Sequence, residues 1–453
     1  APVVHEFNAG MQHVISTIGI AGVLLLFMRA YSLGGGTYTG IEAVSNGMQI
    51  MREPRVQTGK RTMLYMASSL AFTAGMLLLC YLFLNVKPME GRTLNSVLAD
   101  TIFADWPMGK WIAFITIFSE GALLLVAAQA GFVDGPRVMA NMAIDSWFPH
   151  RFAALSERLT MHNGIILMGS AAIALLFYTQ GSVSALVVMY SINVFITFSL
   201  SQLGMSRLFI QRRKEDPKWM QHLSVHLVGL VLCVTILAVT LFEKFAEGGW
   251  MTILITSIVI GCCYIIRNHY IRVRAEVAEL DKKLMDIPTT GPINTEQLNR
   301  VDLTAIQLVP EYGGFGIHTL LSILTTFPKT YKNIIFASVA VIDSGSFKGA
   351  EEIEALESSV EDGLKKYVDL ARRLGYAADY RMTVGTDVAE SAVDLCKSIR
   401  SEFPRSTVFT GQLTFRLEKP YHRMLHNETA FAVQRRLQWK GITTVILPIR
   451  VEV

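Results

Sequence analysis

The chain has 453 residues, of which 51% are hydrophobic and only 17% charged, with a formal net charge of +4. That is too apolar for an ordinary water-soluble protein and too weakly basic, with no basic stripe, for a nucleic-acid binder. Its apolar stretches of about 20 residues recur up to Ile266, and ordinary globular alternation follows, so two regions with two different solvents are expected.

The chain opens on Ala1 and not on Met, and no charged segment with a short apolar core and a small-residue cleavage site precedes the first span. No signal peptide is read, and further N-terminal sequence is expected. Apolar spans are predicted at roughly 14–48, 60–86, 109–133, 163–181, 183–206, 222–242 and 248–266.

The first span is interrupted by three consecutive glycines, Gly34, Gly35 and Gly36. Each costs roughly 1 kcal/mol relative to Ala in a helix interior, so the helix is expected to unwind there. Unwound backbone survives at membrane depth only where it lines a cavity or is covered by neighbours, and its freed carbonyls can hold a desolvated ion. Thr37 lies in the broken stretch, and Thr39, Glu42 and Asn46 follow at i, i+3 and i+7 on one helix face. An ionisable side chain in a span marks function by default, which makes Glu42 the leading candidate. The alternative is that the glycines only permit close helix packing and Glu42 caps the break.

In the 109–133 span Glu120, near Thr116 and Ser119, is read either as a proton site or as the partner of a basic group such as Arg29. Asp134-Gly-Pro-Arg137 reads as a helix stop. In the 183–206 span Tyr190, Asn193, Thr197 and Ser201 form a polar stripe. Tyr190 is a candidate substrate contact, and Asn193 joins Glu120 as a possible second polar site. Such stripes are also formed by plain interhelical hydrogen bonds.

Alternate connections differ in basic residues. Arg52, Arg55, Lys60 and Arg61, then Arg137, Arg151 and Arg158, then Arg207, Arg212, Arg213, Lys214 and Lys218 share one side, against Lys87, Arg92, Lys110 and Lys244 on the other. The positive-inside rule makes the first side cytoplasmic, and with it everything after Ile266. Residues 267–286 carry Val273, Val277, Leu280 and Leu284 at helical spacing and are expected to be an amphipathic helix. Pro288, Gly291 and Pro292 then start a linker.

The run from Ala30 to Asn46 (AYSLGGGTYTGIEAVSN) resembles the discontinuous sixth helix of the amino acid-polyamine-organocation (APC) superfamily, with a close match to its KUP/KimA-type potassium importers. Met51-Arg-Glu-Pro-Arg-Val and the run Arg137–Arg151 resemble that superfamily's loops after helices six and eight. The resemblance implies a LeuT-like polytopic α-helical fold of inverted repeats, of which this chain supplies helices six to twelve and lacks one to five. It also implies a potassium site shared with the missing helices, with Gly35, Gly36, Thr37, Thr39 and Glu42 on the sixth-helix side and Tyr190 in the span that matches the tenth.

After residue 301 strands are predicted at 303–309, 333–342, 379–384, 407–411 and 443–448, alternating with helices at 316–326, 350–374, 387–401 and 420–437. This is an α/β domain with a parallel sheet. The order resembles the universal stress protein fold. Gly411-Gln-Leu-Thr-Phe-Arg and the run Leu425–Arg436 resemble the tails of KimA-type and cation-chloride transporters. The glycine pattern of ATP-binding stress proteins is missing, because Gly441 is the next glycine after Gly411. Gly313, Gly314 and Gly316 open a helix and are read as a candidate anion-binding turn, or else a plain tight turn. The resemblance makes regulation by a cyclic dinucleotide plausible at this domain, and implies a homodimer through residues 267–453.

Three regions are therefore expected: a transmembrane transporter domain 1–266, a cytosolic helix and linker 267–300, and a cytosolic domain 301–453. The five cysteines read as small hydrophobes, with neither disulfides nor a metal site. No nucleophile elbow, metal-ligand spacing, P-loop or dinucleotide fingerprint suggests an enzyme. The functional reading is proton-coupled potassium uptake across a prokaryotic cytoplasmic membrane, with an amino-acid permease or a membrane-anchored ligand sensor as alternatives.

Overall fold

The computed structural model describes residues 2–35, 44–45, 47–48, 51–284, 293–345, 350–415, 425–426 and 429–451. They form two compact units, residues 1–134 with 170–260, and residues 135–169 with 261–453. The second unit thus takes in residues 135–169 and 261–266, which the sequence places with the membrane region.

Helices α1 (Pro2–Gly35), α2 (Arg55–Phe83), α3 (Leu94–Phe103), α4 (Gly109–Ile144), α5 (His162–Thr179), α6 (Val183–Gln211), α7 (Trp219–Lys244) and α8 (Trp250–Leu284) make up the apolar part of the chain. Six of them, α2 and α4 to α8, are long and apolar enough to cross a bilayer, where helices satisfy every backbone polar group internally. Their large apolar side chains point outward, as with Phe242 at 88% and Phe177 at 77% exposed. Lipid or partner helices are the natural cover for such surfaces.

Helix α1 is described to Gly35 and is still helical at Gly34 and Gly35, so the expected break lies, with residues 36–43, outside the described residues. It also kinks at Gly19, whose φ of 70° leaves the helical region at little cost only because glycine has no Cβ. The expected stop at Asp134-Gly-Pro-Arg137 is corrected. Helix α4 runs through Pro136 to Ile144, and α5 packs against the bend through Gly164, where an added Cβ would come within 2.9 Å of the Pro136 backbone. Between α7 and α8 a π-turn, Phe245–Gly249, replaces a loop. The span and the amphipathic helix expected after it are one helix, α8, continuous to Leu284.

The C-terminal domain alternates β1 (Thr304–Leu308), α9 (Gly314–Thr326), β2 (Asn333–Val341), α10 (Ala350–Arg373), β3 (Ala377–Gly385), α11 (Val388–Glu402), β4 (Ser406–Phe415), α12 (Thr429–Trp439) and β5 (Thr444–Val451). All five strands are parallel in the order β3-β2-β1-β4-β5, with Thr304 opposite both Asn333 and Ser406. The central strands β1 and β2 are buried along nearly their whole length because helices cover both faces. On one face Ile306, Val408, Cys396 and Leu437 form the core; on the other Ile334, Phe336, Leu364 and Tyr367 do so. Asp387 fixes the start of α11 by accepting from the Ala389 and Glu390 amides at 2.8 and 3.1 Å.

The connection 145–161 belongs to the same unit. His150 stacks on Tyr270 of α8 with ring centres 4.1 Å apart and planes 8° from parallel. The Tyr270 hydroxyl donates to the Leu425 carbonyl at 2.6 Å, and Arg267 lies 4.1 Å over the Trp147 ring. The Ser344 amide donates to the Ala153 carbonyl at 3.1 Å. Burial, then the nearby Arg274, lowers the His150 pKa below the ordinary histidine value, so the stacked imidazole is neutral at neutral pH.

Candidate functional site

Four groups of sequence-selected residues can be placed against the fold. Of the broken-helix group, Gly35 is the last residue of α1, while Gly36, Thr37, Thr39 and Glu42 lie outside the described residues. A Cβ built on Gly34 meets no atom within 4 Å, so no close helix contact among the described residues requires glycine there.

Tyr190 projects from α6 with 47% of its surface exposed, and its phenol makes no hydrogen bond among the described residues. Asn193, one turn on, is engaged: its Oδ1 accepts from Thr256 Oγ1 of α8 at 2.8 Å. Thr197 donates back to the Asn193 carbonyl at 3.0 Å. This part of the polar stripe is an interhelical fastening.

Glu120 has a partner that the sequence did not indicate. Its Oε1 accepts from Asn95 Nδ2 of α3 at 2.8 Å, and Tyr81 of α2 donates its hydroxyl to Asn95 Oδ1. Thr116 and Ser119 bond to carbonyls of their own helix, at 2.9 and 2.7 Å, and do not join Glu120. Glu120 and Asn193 therefore do not form one second polar site, since each is bonded to a different helix.

The Gly313–Gly316 turn is also corrected as an open anion site. The Gly314 amide donates to Asp281 Oδ1 of α8 at 2.5 Å, and the Gly313 amide donates to the Tyr367 hydroxyl at 3.1 Å. The anion at this helix start is the chain's own carboxylate. Gly316 is needed for a different reason, because a Cβ there would strike the Tyr367 hydroxyl.

The sheet order reverses between β1 and β4, and a cavity of about 370 Å³ opens at that switch point. Crevices of this kind take ligands in open α/β sheets. Here the described lining is mostly apolar, with Phe315, Ser338, Thr410, Gln412 and His426 among it and no Lys or Arg to pair a phosphate. Gly411 lets Phe315 close one wall, since an added Cβ would come within 2.9 Å of that ring. Among the described residues no group of His, Cys, Asp and Glu has a metal-binding arrangement.

Residues 5–263 match the amino acid permease family. The chain is also similar to the potassium transporter KimA of Bacillus subtilis (strain 168), at 28% identity over 450 residues, which covers 98% of this chain and 67% of that protein.

Proposed function

The chain belongs to the amino acid permease family and is an integral membrane transporter component of the APC superfamily, and from that premise we propose that it serves proton-coupled potassium uptake across the cytoplasmic membrane. The observation that carries this reading is the extent of the likeness to KimA. It covers 98% of the chain and so reaches past the permease region, which ends at 263, into the C-terminal domain. In this reading potassium sits against backbone carbonyls at Gly35 and Gly36, the hydroxyls of Thr37 and Thr39 and the phenol of Tyr190, with Glu42 polarising the site or taking part in coupling. Such a site replaces the ion's water shell with protein oxygens. Upstream helices of the LeuT-like fold supply the other side.

A potassium-starved strain expressing the full-length protein is expected to grow at low potassium, and Glu42→Gln to lower tracer uptake at least tenfold, about 1.4 kcal/mol or more. The family match equally supports amino-acid transport. Labelled amino-acid uptake without potassium rescue sinks the potassium reading, and reconstituted protein with no flux of either kind points to a sensor.

We further propose that the C-terminal domain lies in the cytoplasm and pairs with that of a second copy. Arg151 and Arg158 in the connection 145–161, which packs on this domain, support the side. Mass photometry of the full-length protein in detergent is expected to give twice the chain mass; a monomeric mass at high concentration excludes the pair.

A further inference from the structure

Glu120 is a charged group within the spans that the potassium reading leaves without a role. It lies eleven residues beyond Gly109, the first residue of α4, or about 16 Å along the axis of a helix long and apolar enough to cross a bilayer. A carboxylate within a span is costly unless something offsets its charge.

What surrounds it is a directed array. Tyr81, in the last turn of α2, donates to Asn95 Oδ1, and Asn95, on α3, donates through Nδ2 to Glu120 Oε1 at 2.8 Å. Three elements meet at one half-buried carboxylate, and every donor in the chain points toward it. That polarity suits the ionised form. No Lys, Arg or His pairs with Glu120 among the described residues, and its Oε2 takes no hydrogen bond there. The other titratable groups nearby are accounted for: Cys80 stands beside Tyr81 on α2, and Asp100 of α3 is paired with Arg92. With no fixed cation among the described residues to hold the charge, a proton is the species that can neutralise it at Oε2.

We propose that Glu120 is a proton-binding site of the transport cycle and that its charge fastens α3, in the connection between α2 and α4, to the span. The proposal rests on the proton-coupled reading above, in which the 84–108 connection is on the outer side. A proton from outer water forms an O–H bond at Oε2 as the donor water's O–H bond breaks. The Asn95 bond then loses its charge assistance, roughly half its strength, and α3 is released. Deprotonation refastens it.

Two measurements on the full-length protein test this. In nanodiscs without substrate, hydrogen exchange of α3, corrected for intrinsic rates, is expected to become at least fivefold faster on acidification. Glu120→Gln is expected to abolish that difference, and Asn95→Asp, which sets a second carboxylate beside Glu120, to move it at least one pH unit higher. In proteoliposomes the dependence of potassium uptake on outside pH is expected to flatten in Glu120→Gln and shift upward in Asn95→Asp. Exchange of α3 that is insensitive to pH in the unmodified protein, or that keeps its pH dependence in Glu120→Gln, overturns the proposal, as does an unshifted uptake profile in both variants. A pH-dependent α3 in a protein that moves no potassium leaves the proton site standing and removes the potassium reading instead.

Discussion

Replacing Tyr367 by alanine is expected to destabilise the C-terminal unit by about 3–5 kcal/mol, the range for removing a fully buried aromatic side chain. Tyr367 is fully buried, stacked on Phe336 with ring centres 5.1 Å apart, and set edge-on to Tyr312 at 4.7 Å. Its hydroxyl donates to the Glu311 carbonyl at 2.8 Å and accepts from the Gly313 amide, so it also closes the turn that starts α9. Alanine leaves both a cavity and unpaired backbone groups. Tyr367→Phe keeps the ring and removes only the hydroxyl, for about 1–3 kcal/mol. Pulse proteolysis of the full chain across a urea series measures both. A loss below about 1 kcal/mol for the alanine variant would mean that the α9–α10 face is not the core it looks to be.

The second large effect is alkaline. Burial raises the Cys396 thiol to about 12, and raises the Tyr367 phenol above its ordinary value as well. A group whose folded pKa lies above its unfolded value contributes stability that is complete below the unfolded pKa and disappears as pH rises through the folded one. For Cys396 the window opens near 8.5, the value of a free thiol, and closes near 12. At pH 11 the unfolded chain has gained about 3 kcal/mol from ionising this thiol, while the native state still holds it neutral. Unfolding free energies at pH 8 and pH 11 are expected to fall by that much more in the unmodified protein than in Cys396→Ala. Equal losses in the two proteins would show that the thiol ionises in place.

Local patterns carried much of this structure. The five strands of the C-terminal domain fall close to their predicted places because short runs rich in apolar residues alternate with longer helical patterns. Asp387 and Ser182 sit where capping residues belong, each accepting from an amide of the helix that follows. The strand order was not legible, because Thr304 meets Asn333 and Ser406 through packing of distant segments. Pro136 was misleading for the same reason, since the contact that supports it comes from α5. At the candidate sites Glu120 stood out as a charge in an apolar run, whereas its partner Asn95, 25 residues earlier, lies in a polar connection that gave no signal. The Gly313–Gly316 turn was legible as a turn. That its anion comes from Asp281 required the fold, because 33 residues separate Asp281 from Gly314.

The second compact unit is made from two pieces of chain, 135–169 and 261–453, with a membrane-inserted stretch between them. During synthesis the first piece leaves the ribosome about 280 residues before β5 is complete, roughly 15–60 s earlier at ordinary translation speeds. For about the first 100 residues of that interval Trp147 and His150 have no Arg267 or Tyr270 to rest on. The early connection must wait, exposed and available to chaperones, for a sheet whose middle strand β1 stays half-paired until β4 arrives. Lesions in β4 or β5 should therefore first become visible as protease sensitivity near residue 150, far upstream of the altered codon.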